Sequence, residues 1–408
     1  MLDRYSREKM KKIWDLQSKF EYYLKVELAV CEAYAQVGEF PKKDVEEIKK
    51  RAKFDLARIE HIEEEVKHDV IAFLTNVNEN LGGLAKYMHV GLTSSDVIDT
   101  AFALQIRDSG KIIIEGLDET IAVLRELANK HKNTVCIGRS HGIHAEIMTF
   151  GLKMCSWIDI LERQRVNFIR AYEQIQVGQI SGPVGTYSNI SPEIEKITCR
   201  ILGLAPARIS TQVIARDYHA YFMQSLALIA ALIEQFATEI RLLQQTEILE
   251  VEEGFAQGQK GSSAMPHKKN PVLSENLCGL SRVVRANATA ALENIPLWHE
   301  RDMSHSSAER IIFPDSLMLV DFMLHRFCGI VKNLVVREDN MLKNASDESV
   351  FSQKIMLKLI EQGKSREEAY KIVQKAAFEG KLKEVLPNET LDMQEFLKNI
   401  DEIYSRFA

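Results

Sequence analysis

No proline lies between Pro41 and Pro183, and a chain of strands and turns would normally need several such breakers over that distance. The stretch predicts helices. From Ala207 to Glu253 neither proline nor glycine occurs, so one continuous helix is expected there, about 70 Å long at 1.5 Å per residue. Within it Phe222, Leu226, Ile229, Ile233, Phe236, Ile240 and Leu243 recur at alternating spacings of four and three, a heptad stripe that must pack against other helices. Leu228 and Leu232 widen that apolar face.

A second series, Leu273, Leu277, Leu280, Val284, Ala288, Ala291 and Ile295, runs at nearly the same period, and Val97 to Lys130 and Ala145 to Ile175 also read as long helices. No alternation of strand and helix appears, and neither G-x-G-x-x-G nor a P-loop motif is present, so dinucleotide-binding and P-loop folds lose their support. The expected fold is all-α. A long central bundle at 94–341 stands between smaller helical domains at 1–93 and 342–408. Gly82, Gly83 and Gly91 break the N-terminal helices, and the Asn-, Asp- and Ser-rich run Asn340 to Ser349 breaks the chain before the last region. By itself a heptad stripe specifies only a scaffold, but wide apolar faces also suggest self-association.

At 408 residues, two or three domains are expected. Lys plus Arg number 52 against 58 Asp plus Glu, a net charge of -6, and no dense basic run tracks a phosphate backbone, so no nucleic-acid partner is expected. The six cysteines have no Cys-x-x-Cys spacing, which points to buried thiols rather than zinc or a disulfide framework. Met1 to Trp14 is charged and lacks the apolar stretch of a secretory signal, so a cytoplasmic location is expected. The longest apolar run, Leu226 to Ile233, falls far short of the roughly 20 residues that cross a bilayer, so no membrane partner is expected.

Chemistry concentrates in a few segments. Gly254 to Pro271 (GFAQGQKGSSAMPHKKNP) combines three glycines, Ser262 and Ser263, and the cations Lys268 and Lys269 beside Asn270, with no acid. Such a loop can move, and its amides and lysines form a local anion trap; the plain alternative is a solvated connection. In Gly138 to Glu146 (GRSHGIHAE), His141 sits in a glycine-flanked turn, where an ordinary pKa of about 6.5 suits proton transfer. His141 and His144 lack a nearby third ligand, so no metal is expected. Lys67, His68 and Asp69 form a charged cluster that could equally be a helix face. His89 precedes Thr93 and Ser94, which read as a helix N-cap and as an anion site at once. Trp298 to Arg310 (WHERDMSHSSAER) offers Arg301, Ser306 and Arg310 for gripping a carboxylate or phosphate.

GSSAMPHKKNP at Gly261 to Pro271 resembles the signature of the fumarase/aspartase superfamily, helical homotetramers that eliminate fumarate from a succinyl group. His267, GRSHGIHAE, WHERDMSHSSAER and Arg4-Tyr5 make the chain similar to the branch of that superfamily that cleaves adenylosuccinate, from residue 4 to about 340. Ile147-Met148 replace the usual Pro-Thr, and the tail after about residue 380 is shorter than is common. The resemblance implies Ser262 as the base, with Ser263 the adjacent rival, and His141 as the acid. It implies that Lys268, Asn270, Thr93 and Ser94 bind the succinyl carboxylates. His68, His89, Gln212 and Glu275 would position substrate and acid, with Lys67, Asp69 and Asn276 also contacting substrate. Arg4, Tyr5, Arg301, Ser306 and Arg310 would hold the nucleotide. No cofactor is implied, and each site would draw on three subunits of a homotetramer. Argininosuccinate lyase and carboxymuconate cycloisomerase activities, or a silent helical scaffold, are the alternatives; His141, Ser262, Lys268 and Asn270 are all present, against the last.

Overall fold

A computed structural model describes residues 3–255, 258, 264–387 and 391–407. The chain forms two compact units. The first comprises Met1–Asp118, Arg163–Ile233 and Gly279–His325, and the second Glu119–Glu162, Glu234–Cys278 and Arg326–Ala408. Five long helices pass from one set of residues to the other: α6 (Ser94–Lys130), α7 (Phe150–Gln174), α9 (Arg216–Leu243), α10 (Val272–Glu293) and α11 (Ser304–Lys332).

The first unit begins with α1 (Glu8–Ile13), α2 (Leu16–Gln36), α3 (Lys42–Arg51), α4 (Leu56–Val66) and α5 (Asp69–Glu79). Their starts are written locally. Asp15 accepts the Ser18 amide ahead of α2, and Asp55 accepts the Arg58 amide ahead of α4. Helix α8 (Pro192–Leu202) has Ser191 as its N-cap, proline in its first turn and Gly203 at φ 68 beyond its end. These helices close one core around Phe20, Tyr23, Phe73, Leu81, Leu104 and Ile194. The long helices meet there through rings: Phe102 of α6 stacks on His219 of α9 at 5.6 Å and meets Phe313 of α11 edge-on at 4.9 Å.

In the second unit Trp157 of α7 stacks on Phe236 of α9 at 4.6 Å, with Phe327 of α11 beside both. A smaller core joins Ile137 and Ile147 to Phe351, Ile355 and Leu359 near helices α12 (Glu338–Asn344), α13 (Ser352–Glu361) and α14 (Arg366–Phe378). All seven residues of the heptad stripe are buried, whereas Leu228 is half exposed. Of the second series, Leu277 to Ala291 are buried, while Ile295 lies past the helix end and is exposed.

The structure differs from the sequence reading in three places. The segment 207–253 is not one helix: α9 covers only Arg216–Leu243. Gln244 to Glu250 turn away, the turn closed by the Ile248 and Leu249 amides on the Gln245 carbonyl and by the Glu250 amide on the Leu243 carbonyl, with Asn344 Nδ2 donating to the Ile248 carbonyl and Asn340 Nδ2 to that of Leu249. The chain then pairs β5 (Val251–Glu252) with β6 (Val335–Val336). Second, Ala145 to Thr149 are strand, since β1 (Val135–Ser140) and β2 (Ile143–Thr149) form an antiparallel hairpin before α7. Strand β3 (Val177–Gly178) pairs with β4 (Ala205–Pro206) in parallel. Third, Asn340 to Asn344 belong to α12, so the break falls later, at Ala345 to Asp347.

Candidate active site

The first unit holds a cleft of about 410 Å³ lined by Glu63, Lys67, His68, Asp69, Thr93, Ser94, Ile98, Gln212, Arg301 and Met303. Lys67 ends α4 in a left-handed conformation, φ 54, and His68 then caps α5, its Nδ1 accepting the Ile71 amide at 3.4 Å. This abrupt reversal presents three adjacent side chains to one cleft. Asp69 is paired with Lys19 at 3.2 Å and Arg310 at 3.0 Å; against its burial, these cations hold its carboxyl below the usual range.

Thr93 is fixed by Asp96, but in the opposite sense to a threonine cap. The fully buried Asp96 carboxylate accepts the amides of Thr93 (2.9 Å), Ser181 (3.0 Å) and Gly182 (3.1 Å). Burial pushes this carboxyl up to about 6 despite those donors. Gln212 Oε1 accepts from Arg301 Nη1 at 3.3 Å, while Arg301 Nε is buried with no hydrogen-bond partner among the described residues.

A second cavity of about 320 Å³ shares Ile98 and Arg301 with the first. Trp14, Tyr23 and Phe102 give it an aromatic wall, and Lys19, Arg216, Arg301, His305, Ser306, Glu309 and Arg310 its polar side. Arg216, 3% exposed, pairs with Asp99 at 2.8 Å and with Glu309 at 3.2 Å. Burial pushes Glu309 up to about 7 and His305 down to about 4, the latter helped by Arg216. Pro314, inside α11, lines the same cavity and has no N–H for the Arg310 carbonyl one turn earlier.

The remaining candidates lie elsewhere. His89, at φ 59, contacts Glu27 Oε1 through Nδ1 at 2.6 Å, and Glu27, itself fully buried, holds the imidazole pKa above its ordinary value against desolvation. Arg4 is exposed, and Tyr5 packs edge-on against Phe322 at 5.5 Å; neither lines the two cavities. In the second unit His141 and Gly142 form the two-residue turn of the β1–β2 hairpin, at φ 55 and 78. Histidine, like asparagine, is enriched at left-handed positions, so the turn accommodates it. His141 to Glu146 are exposed, Ile143 to 70%.

Lys268 is exposed, with its amide donating to the Met265 carbonyl. Asn270 is half-buried and Glu275 exposed in the first turn of α10. Asn276 Oδ1 accepts from Arg326. Ser262 and Ser263 lie outside the described residues.

Sequence reasoning missed Lys19, Glu63, Asp99, Arg216, His305 and Glu309 as cavity-lining residues. Asp99 had a signal, a carboxylate inside the apolar run Val97 to Leu104, and His305 and Glu309 lay inside a motif read only for its arginines and serine. Lys19 and Glu63 look like ordinary exposed helix charges.

The family model described as Lyase matches residues 3–286. The chain is 50% identical to an adenylosuccinate lyase of Synechocystis sp. over all of this chain and 99% of the relative. It is 47% identical to an adenylosuccinate lyase of Bacillus subtilis over the full length of both. A solved fumarate lyase of Mesorhizobium sp. BNC1 superposes with a TM-score of 0.85 at 26% identity, over 95% of this chain and 90% of that one. With the family model matching well over half of the chain and full-length relatives near half identity, the chain is a lyase and belongs to the adenylosuccinate lyase family.

Proposed function

We propose that this chain eliminates fumarate from adenylosuccinate to give AMP, and from the succinyl-carboxamide ribotide of purine synthesis by the same step. One observation carries the reading: Lys67, His68, Asp69, Thr93, Ser94, Gln212 and Arg301, spread over 235 positions of sequence, line a single cleft.

In the elimination, Ser262 takes a proton from the succinyl carbon next to a carboxylate, the carbon–nitrogen bond breaks, and His141 gives a proton to the departing nitrogen. The carbanion is an aci-carboxylate dianion and needs cations in place before it forms, a need that Lys268, with Asn270, Thr93 and Ser94, meets. Serine is a weak base at its free pKa, so the surrounding amides and Lys268 must favour its alkoxide; Ser263 is the neighbouring rival. His68, His89, Gln212 and Glu275 position substrate and acid, with Lys67, Asp69 and Asn276 in contact. Arg4, Tyr5, Arg301, Ser306 and Arg310 hold the nucleotide end.

The active form in this reading is a cytoplasmic homotetramer with sites shared between subunits. The exposed apolar side chains Val166, Leu228, Val283 and Ile311 on the long helices support such an assembly. Among the described residues no helix is long and apolar enough to cross a membrane.

The deciding assay is purified protein with adenylosuccinate, followed by the ultraviolet change as AMP and fumarate form. No change at neutral pH from an intact tetramer rejects this reading.

A further inference from the structure

Helix α10 has an unusual beginning. Its N-cap position is Pro271, which has no side-chain oxygen to accept the first amides of the helix. Those amides are met from twenty residues earlier: Glu253 Oε1 accepts the Ser274 N–H at 2.7 Å and Oε2 the Leu273 N–H at 3.1 Å. Glu253 is 6% exposed, and an anion there also complements the helix dipole.

Gln244, just past α9, ties the same two strands a second time. Its Oε1 accepts the Glu253 amide at 2.9 Å, and its Nε2 donates to the Lys269 carbonyl at 3.2 Å. Gly254 must follow directly, because a Cβ there would stand 2.6 Å from the Asn333 carbonyl oxygen. The segment that leaves at 254 and the stretch bearing Lys268 and Asn270 are therefore clasped at their common base.

Three residues before Glu253, Glu250 is 1% exposed and takes Arg139 in a two-pronged pair, 2.6 Å and 3.1 Å, with Asn344 Nδ2 donating at 2.9 Å. Arg139 is two residues before His141 on the hairpin. Between the two glutamates, Glu252 holds Arg337 at 2.5 Å and Lys269 at 3.5 Å. One acidic run, EVEE at 250–253, thus grips the hairpin of the acid on one side and the base of the Lys268 stretch on the other.

We propose that Glu253, with Gln244, is a positioning pair that fixes Lys268 and Asn270 for the elimination, and that Glu250 does the same for His141 through Arg139. This rests on the reading under Proposed function. None of these residues touches substrate; each acts through a residue that does. A misplacement of about 1 Å can lower turnover on the order of 10²-fold, so the effect belongs in kcat.

The test separates capping from positioning. In full-length tetramer, Glu253→Ala should lower both the melting temperature and kcat, the latter at least 10-fold. Adding Pro271→Ser supplies a local cap, so Glu253→Ala/Pro271→Ser should regain melting temperature while kcat stays low and KM moves less than kcat. If kcat recovers together with stability, or never falls, Glu253 is only a cap and the proposal is overturned. Should Glu253→Ala not fold, Gln244→Ala leaves the cap intact and must show the same loss of kcat; normal turnover there overturns the proposal. For the other arm, Arg139→Met should lower kcat and, because it leaves the buried Glu250 without its cation, the melting temperature as well; Arg139→Lys, which returns the charge without the two-pronged grip, should restore melting temperature more than kcat. Unchanged turnover in Arg139→Met removes that arm. Wild-type turnover of adenylosuccinate is the control: its absence rejects the functional reading, whereas an active wild type with unaffected variants rejects only this one.

Discussion

Arg216 meets Asp99 through two parallel hydrogen bonds, Nη1 to Oδ2 at 2.9 Å and Nη2 to Oδ1 at 2.8 Å, with both residues only 3% exposed. Asp99 also accepts the Ile214 amide at 2.9 Å, so one carboxylate ties α6 to the start of α9. Removing one partner of such a buried pair leaves an uncompensated charge, which typically costs about 3–5 kcal/mol. Arg216→Met should therefore lower urea-unfolding stability by about that much at neutral pH. Burial alone would raise the Asp99 pKa, but Arg216 holds it below the ordinary value. The contribution of the pair is thus present above the ordinary carboxylate range and is lost as pH falls through the folded pKa. The gap between wild type and variant should shrink on acidification below about pH 4; a gap that widens there would contradict the assignment.

Glu309 has the opposite sign. Burial raises its pKa from 4.5 to about 7, so between those values the folded protein keeps a proton that the unfolded chain releases. Stability must fall as pH rises through that interval. Glu309→Gln removes this fall, and its melting temperature relative to wild type should rise from pH 5 to pH 8. His219 and His305, pushed down by burial to about 3 and about 4, act with the reverse sign below pH 6.5, so the comparison is made between Glu309→Gln and wild type at each pH, where the histidine contributions are common to both. A difference between variant and wild type that ignores pH would show that the carboxyl is ionised throughout.

His141 occupies a left-handed turn position, where alanine carries a backbone penalty and asparagine does not. His141→Asn should keep the hairpin and the wild-type melting temperature yet lose about 10² to 10⁴ in kcat. Steady-state kinetics beside a thermal melt decide the matter. A loss confined to KM would move His141 from proton transfer to binding.

Shared sites make a prediction about mixtures. His141→Asn and Ser262→Ala tetramers, each inactive, should regain part of the wild-type activity after dissociation and reassociation, because some sites inherit both wild-type residues. Hybrids that remain tetrameric and stay dead would rule out sharing.

The architecture of this chain was legible wherever a periodic pattern controlled burial. Phe222 to Leu243 was predicted as a buried heptad stripe and is one, because a seven-residue repeat leaves a helix no other face to bury. The start of the second rod, expected at Leu273, falls at Val272, and the helix expected from Val97 to Lys130 begins at Ser94. Lys67, His68, Asp69, Thr93, Ser94 and Arg301, named from sequence motifs, and Gln212, named by the family resemblance, line one cleft.

Helix ends and buried charges were decided by tertiary structure. No proline or glycine lies between Leu243 and Glu253 to break a helix; the turn that follows α9 is held by Asn340 and Asn344 on the Leu249 and Ile248 carbonyls and by Arg139 on the Glu250 carboxylate, all distant in sequence. Ala145 to Thr149 became strand for the same kind of reason, since Val135 to Ile137 pair with Ile147 to Thr149 across the His141 turn. Asp99 carried a signal inside its apolar run, but nothing near Asp96, Asp99 or Glu309 in sequence named a partner, and only folding brings Ser181, Arg216 and their neighbours within reach. A repeat carries its information within one segment, whereas a hydrogen-bond partner 91 or 96 residues away leaves no local trace, so the sequence by itself determined the rods, and tertiary contacts decided where the rods end and which charges are buried.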